Sequence, residues 1–322
     1  MRPFRFGLQA FEGVTAADWF DTVRRAEDAG YSTLLSSDHY FGPGTIAEST
    51  GHRPVDFAPL TAIAMAAART SSLRVGCRVF ACDFHHPVVL AKELATLDVL
   101  SDGRLEVGLG AGWLRAEYDG MGLQMDPART RIARLAQFVE VLREHWGGEQ
   151  IDIEGDHLRI TGFAGRPIPA QRGGPPIMIG GGAPRILGVA GKLADIVSIN
   201  FNNSSGRLGS ASVMSSGADE TAQKIEWIRE GAGDRFGSLE LEIGAYFVAV
   251  GADSPSQLAA MAARFGVAPD GFASHPHALF GTVAQISDTL IERRQRYGVS
   301  YVTVAQRHLD EFAPVVAALA GT

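Results

Sequence analysis

Short apolar runs alternate with helically spaced segments from one end of this chain to the other, and that alternation restricts its fold more than any other feature. Residues 4–9 form the first apolar run, and Ala16, Trp19, Phe20, Val23 and Ala26 then recur on one helical face. Thr15 is placed to cap that helix and Gly30 to stop it. Further strands are predicted over 33–37, 73–80, 105–109, 177–179, 196–199, 241–250 and 299–304. Between them the spacing predicts helices over 60–68, from Pro87 onward, around Ile132, Leu135, Phe138, Val139 and Leu142, and over 183–192, 221–236, 254–265 and 282–297. Residues 151–160 alternate around a Glu-Gly-Asp turn and read as an excursion hairpin. Residues 38–56 form a long loop, and 200–217, rich in Asn, Ser and Gly without periodicity, are expected to form a mobile one.

Strands joined by crossover helices must run parallel. Eight such units close a barrel more naturally than an open sheet, so the expected fold is α/β, a (β/α)8 barrel. No linker interrupts the pattern, and residues 1–322 are expected to form one domain. An open doubly wound sheet is the second choice.

In such a barrel the chemistry gathers at the C-terminal ends of the strands. The residues to weigh are therefore Gln9, Asp38 with His39, the segment 78–84, the glycine-rich 110–113, Gly180–Gly182 and Asn200. Asp38 and His39 close the second strand, where an acid and an imidazole can orient a planar heterocycle and pass a proton. The bland alternative is a capping Asp beside a surface His. Gly180, Gly181 and Gly182 precede a helix opening at Pro184, so their backbone N–H groups can converge on an anion; positive φ is expected at Gly181. The bland alternative there is a flexible turn.

The run Gly108-Leu-Gly-Ala-Gly-Trp113 lacks the third glycine of a dinucleotide fingerprint and reads better as close backbone approach to a flat ring beside a Trp wall. His85 with His86, and His275 with His277, have no company suited to a metal; His85 and His86 are read as strand residues pointing apart. Trp19 and Trp146 sit at core spacing, and no GxSxG elbow is present. A net charge of -7 gives no basic surface for nucleic acid. Cys77 and Cys82 suit reduced thiols. The N-terminal stretch lacks an apolar signal core, and no run reaches the ~18–20 apolar residues of a membrane span. A cytoplasmic protein is expected, with a small-molecule substrate, no membrane contact and a homodimeric assembly.

Four segments carry a resemblance: SSDHY (36–40), HPVVLAKELATLDVLSDGRLEVGLGAGWLRAEYDGMG (86–122), PPIMIGGGAPRILGVAGKLADIV (175–197) and FGTVAQISDTLIERRQRYGVSYVTV (280–304). Through them the chain resembles the bacterial-luciferase-like superfamily and, through Asp38-His39, its coenzyme F420-dependent oxidoreductases. The resemblance implies a deazaflavin cofactor contacted by Asp38, with His39 near its reactive face as proton donor or polar anchor. It implies a bulge with a non-prolyl cis peptide near Arg78-Val79, close approach of Ala81, Ala111 and Gly112 to the ring, and a phosphate held by the backbone of Gly180, Gly181 and Gly182. The sugar-phosphate dehydrogenases of this branch carry a catalytic Glu where this chain has Trp113, which leaves Glu117, one helical turn on, as a substitute acid; such an acid is more often a structural contact. An FMN-dependent monooxygenase and a non-catalytic cofactor-binding protein are the competing readings.

Overall fold

A computed structural model describes residues 1–13, 15–206 and 209–322. Eight parallel strands close into a barrel: β1 (Arg5–Gln9), β2 (Thr33–Ser36), β3 (Arg74–Ala81), β4 (Leu105–Gly110), β7 (Ile177–Gly181), β8 (Ile196–Ile199), β9 (Glu240–Ala245) and β12 (Val299–Ala305). Two small sheets are added: the hairpin of β5 (Gln150–Glu154) with β6 (Arg159–Ala164), and a parallel pair of β10 (Phe247–Val250) with β11 (Ala278–Gly281). Helices pack on the outside of the barrel, and buried Leu, Ile, Val and Phe from both layers form one large cluster.

Local chemistry explains most boundaries. Thr15 accepts the Asp18 N–H at the first helix start, and Gly30 follows its end at φ 79°. Pro87 and Pro184 each occupy the first turn of a helix, Pro87–Leu100 and Pro184–Leu193. The capping box of Thr282 and Gln285 opens Val283–Tyr297.

Several expectations need correction. The run 241–250 is not one strand: it breaks after Ala245, and Phe247–Val250 leaves the barrel to pair with Ala278–Gly281. Periodicity cannot detect that break, because both halves are apolar and buried. The described part of 200–217 includes a helix, Ser210–Met214, while Arg207 and Leu208 lie outside the described residues. A helix, Thr45–Thr50, likewise lies within 38–56. Pro269–Ala273 and the final helix Leu309–Leu319 escaped the pattern reading. His85 and His86 are not strand residues; they join a short 3-10 turn, Cys82–Phe84, to the Pro87 helix.

The N-terminal end of the barrel is closed by charge. Glu106, 2% exposed, takes ion pairs from Arg5 at 2.5 Å and Arg74 at 2.8 Å, and Arg5 also reaches Glu240 at 2.6 Å. The Arg5 guanidinium lies 3.7 Å over the Tyr301 ring. With that end locked, ligand chemistry falls to the opposite end, as the barrel rule requires. Among the described residues, no helix is long and apolar enough to cross a membrane.

Candidate active site

Seven strand ends, those of β1, β2, β3, β4, β7, β8 and β9, and the loops that follow them build the site. After β2 the chain carries Asp38, His39 and Tyr40. Their partners come from β3 and from the helix Arg115–Met121. Glu117, 1% exposed, offers both carboxylate oxygens to this corner: Oε2 lies 2.6 Å from His39 Nδ1 and Oε1 accepts the Tyr40 N–H at 2.7 Å. A carboxylate on Nδ1 fixes the orientation of the imidazole. Among the described residues no hydrogen-bond partner is found for His39 Nε2.

Asp38 is turned differently. Its side chain is fully buried, and Oδ2 accepts the Ala81 N–H and bonds His85 Nε2, both at 2.8 Å. Oδ1 has no hydrogen-bond partner among the described residues. Asp38 therefore ties the end of β2 to the end of β3 with one oxygen and keeps the other unpaired. His85 was not singled out for this pairing, and only the fold brings the two residues together, 47 positions apart.

The end of β3 is irregular where the resemblance implies it: the Arg78–Val79 peptide is cis, and the register against β4 shifts between Cys77 and Phe80. The Arg78 side chain enters the barrel mouth. Its Nε lies 3.1 Å from Glu242, Nη1 donates to Tyr246 at 3.2 Å and Gln9 at 3.4 Å, and Nη2 donates to Asn200 at 3.0 Å. Burial works against the Arg78 charge, but Glu242 and Tyr246 outweigh it and the pKa is raised. Tyr246 in turn donates to Asn200 Oδ1. Glu242 and Tyr246 escaped the sequence reading because both lie in a run, 241–250, assigned wholly to strand; a buried Glu in an apolar strand was the one available signal.

After β4, Ala111, Gly112 and Trp113 are held from below by Arg131, which donates to the carbonyls of Ala111, at 2.7 Å, and Gly112. Gly112 has φ 72°, and a Cβ there would run into the Tyr118 hydroxyl, which itself donates to Asp83 at 2.9 Å. Both facts require glycine. Gly112→Ala should cost about 1–3 kcal/mol by overpacking; an unchanged urea midpoint with unchanged slope would refute this packing.

Gly180, Gly181 and Gly182 end β7. None has positive φ, contrary to expectation. They are small for another reason: a Cβ on Gly181 would press on Ile186, and one on Gly182 on the backbone carbonyls of Asn200 and Phe201. The helix that follows is capped by Ala183, which makes no side-chain cap bond, so its first-turn N–H groups are left for a ligand or solvent. Asn200, ending β8, is bonded through its N–H to the Gly181 carbonyl at 2.8 Å, and its own carbonyl accepts from the buried Lys224 Nζ at 2.7 Å. Burial lowers the Lys224 pKa to about 8.

The residue set fits a large flat cofactor bearing a phosphate. Small residues, Ala81, Ala111, Gly112 and Gly180, stand on adjacent strand ends. An unpaired buried carboxylate oxygen and an uncapped helix start supply an acceptor and donors.

A closed parallel barrel with a bulged third strand and ionisable groups at its C-terminal mouth defines a class of cofactor-binding (β/α)8 proteins. Within it, the chain belongs to the luciferase-like monooxygenase family, whose model matches residues 3–322. It is 33% identical over 172 residues to the F420-dependent glucose-6-phosphate dehydrogenase of Mycolicibacterium smegmatis, covering 53% of this chain and 49% of that protein. It is 33% identical over 177 residues to the enzyme of that name from Nocardia farcinica, covering 54% and 50%. The chain thus spans about half the length of the curated relatives it matches. In fold it is similar to the coenzyme F420-dependent tetrahydromethanopterin reductase of Methanopyrus kandleri, at TM-score 0.76 and 19% identity over 98% and 99% of the two chains. It is also similar to an F420-dependent secondary alcohol dehydrogenase solved with an F420–acetone adduct, at TM-score 0.75 and 17% identity over 99% of each chain.

Proposed function

We propose that this chain is a coenzyme F420-dependent oxidoreductase that moves a hydride between the deazaflavin and a small organic substrate, working as one barrel domain over residues 1–322. The observation that carries the proposal is the His39–Glu117 pair, held at Nδ1 with Nε2 left without a hydrogen-bond partner among the described residues, beside strand ends kept small by Ala81, Ala111, Gly112 and Gly180. The curated relatives with F420-dependent names support the choice of cofactor.

When bound, the coenzyme supplies the hydride; the protein supplies position and the proton. The backbone of Gly180, Gly181 and Gly182 and the start of the Pro184 helix would hold the phosphate. Asp38, through Oδ1, would accept a bond from a ring substituent, and Ala81, Ala111 and the Arg78–Val79 peptide would lie against the ring. His39 would give or take the proton at Nε2, oriented by Glu117 at Nδ1. Glu117 is thereby a positioning residue in this scheme, since its oxygens are already engaged by His39 and Tyr40.

The test is a competition of cofactors. Tryptophan fluorescence is followed while the protein is titrated separately with F420 and with FMN, and the bound form is then screened against alcohols, carbonyl compounds and glucose 6-phosphate. F420 should bind at least ~10-fold more tightly than FMN, about 1.4 kcal/mol in binding free energy. Preference for FMN with oxygen consumption would replace the proposal with a monooxygenase; tight F420 binding without turnover across the panel would leave a binding protein.

A further inference from the structure

A second imidazole stands beside His39. His52 lies on the segment between the Thr45–Thr50 helix and β3, far from any strand end, and drew no attention in the sequence. The fold lays its ring against His39 with centroids 4.3 Å apart and planes tilted by 53°. Phe41 at 5.7 Å, Trp113 at 5.9 Å and Phe11 at 6.3 Å complete an aromatic enclosure around it. The segment is pinned in place: the His52 N–H donates to Thr50 Oγ1, Val55 N–H to the Phe41 carbonyl, and Arg53 forms an ion pair with Glu12 at 2.7 Å.

The hydrogen bonds at the two rings are complementary. His39 is held at Nδ1 by Glu117, while His52 Nδ1 bonds the Arg53 carbonyl at 2.8 Å. A carbonyl only accepts, so His52 carries its proton on Nδ1 and a lone pair on Nε2. Among the described residues neither Nε2 has a hydrogen-bond partner. Each ring is thus tied at Nδ1 and leaves Nε2 without a hydrogen-bond partner among the described residues. His52, with its proton on Nδ1, has an Nε2 lone pair that can receive a proton.

We propose that His52 is a positioning and proton-relay residue for His39: it braces the imidazole from the loop side, and its Nε2 carries protons between His39 Nε2 and solvent. The relay is an acid–base exchange. A water between the rings takes the proton from His39 Nε2 as it gives one of its own to His52 Nε2; bulk water then removes the proton from His52, or the same steps run in reverse to reload His39. No electrons move in it. Burial, and then the neighbouring His39, push the His52 pKa down to about 4, so at neutral pH it passes a proton on and does not store one. The other charged groups around the pair are Glu117 on its helix, Glu12 and Arg53 on their loops, and Arg307 after β12, whose pKa is lowered by burial and by Arg53. Asp38 is occupied with Ala81 and His85.

The proposal rests on the reading of His39 as the proton-handling residue, but its test needs no cofactor. Full-length protein labelled in its histidine rings is titrated by NMR without ligand, as wild type, His52→Gln and His52→Phe. The Phe variant keeps an aromatic ring in the enclosure and so guards the fold. In the wild type the two rings should titrate as a coupled pair. In both variants exchange of the His39 ring N–H with water should slow by at least ~10-fold, because the second imidazole no longer accepts its proton. Added imidazole should restore the exchange rate in His52→Gly. Independent titration of the two rings in the wild type, or an unchanged His39 exchange rate in His52→Phe, would overturn the relay. Failure of F420 to bind would remove the proposed function and leave this coupling standing.

Discussion

His39→Ala is expected to bind coenzyme F420 within a few-fold of the wild type while kcat falls by roughly 10²–10⁴-fold, the usual loss when a positioned proton donor is removed. The expectation follows from what each side chain touches. Among the described residues His39 Nε2 has no hydrogen-bond partner to lose, and its ring contacts are with Phe41, His52 and Trp113. Glu117→Gln should produce a smaller fall. The amide has one acceptor oxygen where the carboxylate has two, one engaged by His39 and one by Tyr40. Asp38→Ala should act on affinity, since Asp38 Oδ2 ties the β3 end through Ala81 and His85. Stopped-flow turnover with the substrate found in the screen, set beside fluorescence titration of cofactor, separates the three. Wild-type kcat in His39→Ala would remove His39 from the chemistry, and equal loss of binding in the His39 and Asp38 variants would make the pair a single anchor.

The barrel was legible because its signals are local and repeated. Alternating periods, Thr15 capping a helix start and Gly30 its stop, and prolines opening helices each act within a few residues, and eight repetitions leave one closed architecture. Asp38 and His39 were legible as residue types at a strand end, and Glu117 only through the family resemblance. The way they join was not, since Glu117 is 78 positions from His39 and a sequence does not show which of two nitrogens a carboxylate will meet. His52 was invisible for the same reason: a histidine in a long loop has no period to belong to. The glycine trio shows the opposite limit. Its location was right, but its smallness comes from Ile186 and from the 200–201 carbonyls, contacts that exist only once β7 and β8 are side by side.

Glu242→Leu should be the most destabilising single change at the mouth of the barrel, costing about 3–5 kcal/mol, because it strands a buried cation. Arg78 and Glu242 have side chains only 4% and 0% exposed, and Glu242 is the one carboxylate among the bonded partners of that guanidinium. Gln9, Tyr246 and Asn200 satisfy its remaining N–H groups but carry no charge to balance it. Removing the cation as well should reverse most of the loss: in Arg78→Met with Glu242→Leu neither member of the pair remains, and apolar side chains of similar volume fill the space. Urea unfolding of the wild type, the two single variants and the double variant forms a closed cycle. Its interaction energy should exceed about 1.5 kcal/mol in favour of the pair being kept or lost together. A cycle that closes with additive single effects would mean that the charge is neutralised by solvent entering the mouth. The cofactor titration then adds a second measurement to the same four proteins. Arg78 belongs to the strand end that would lie against the ring, so the double variant should regain its stability and still bind F420 more weakly than the wild type.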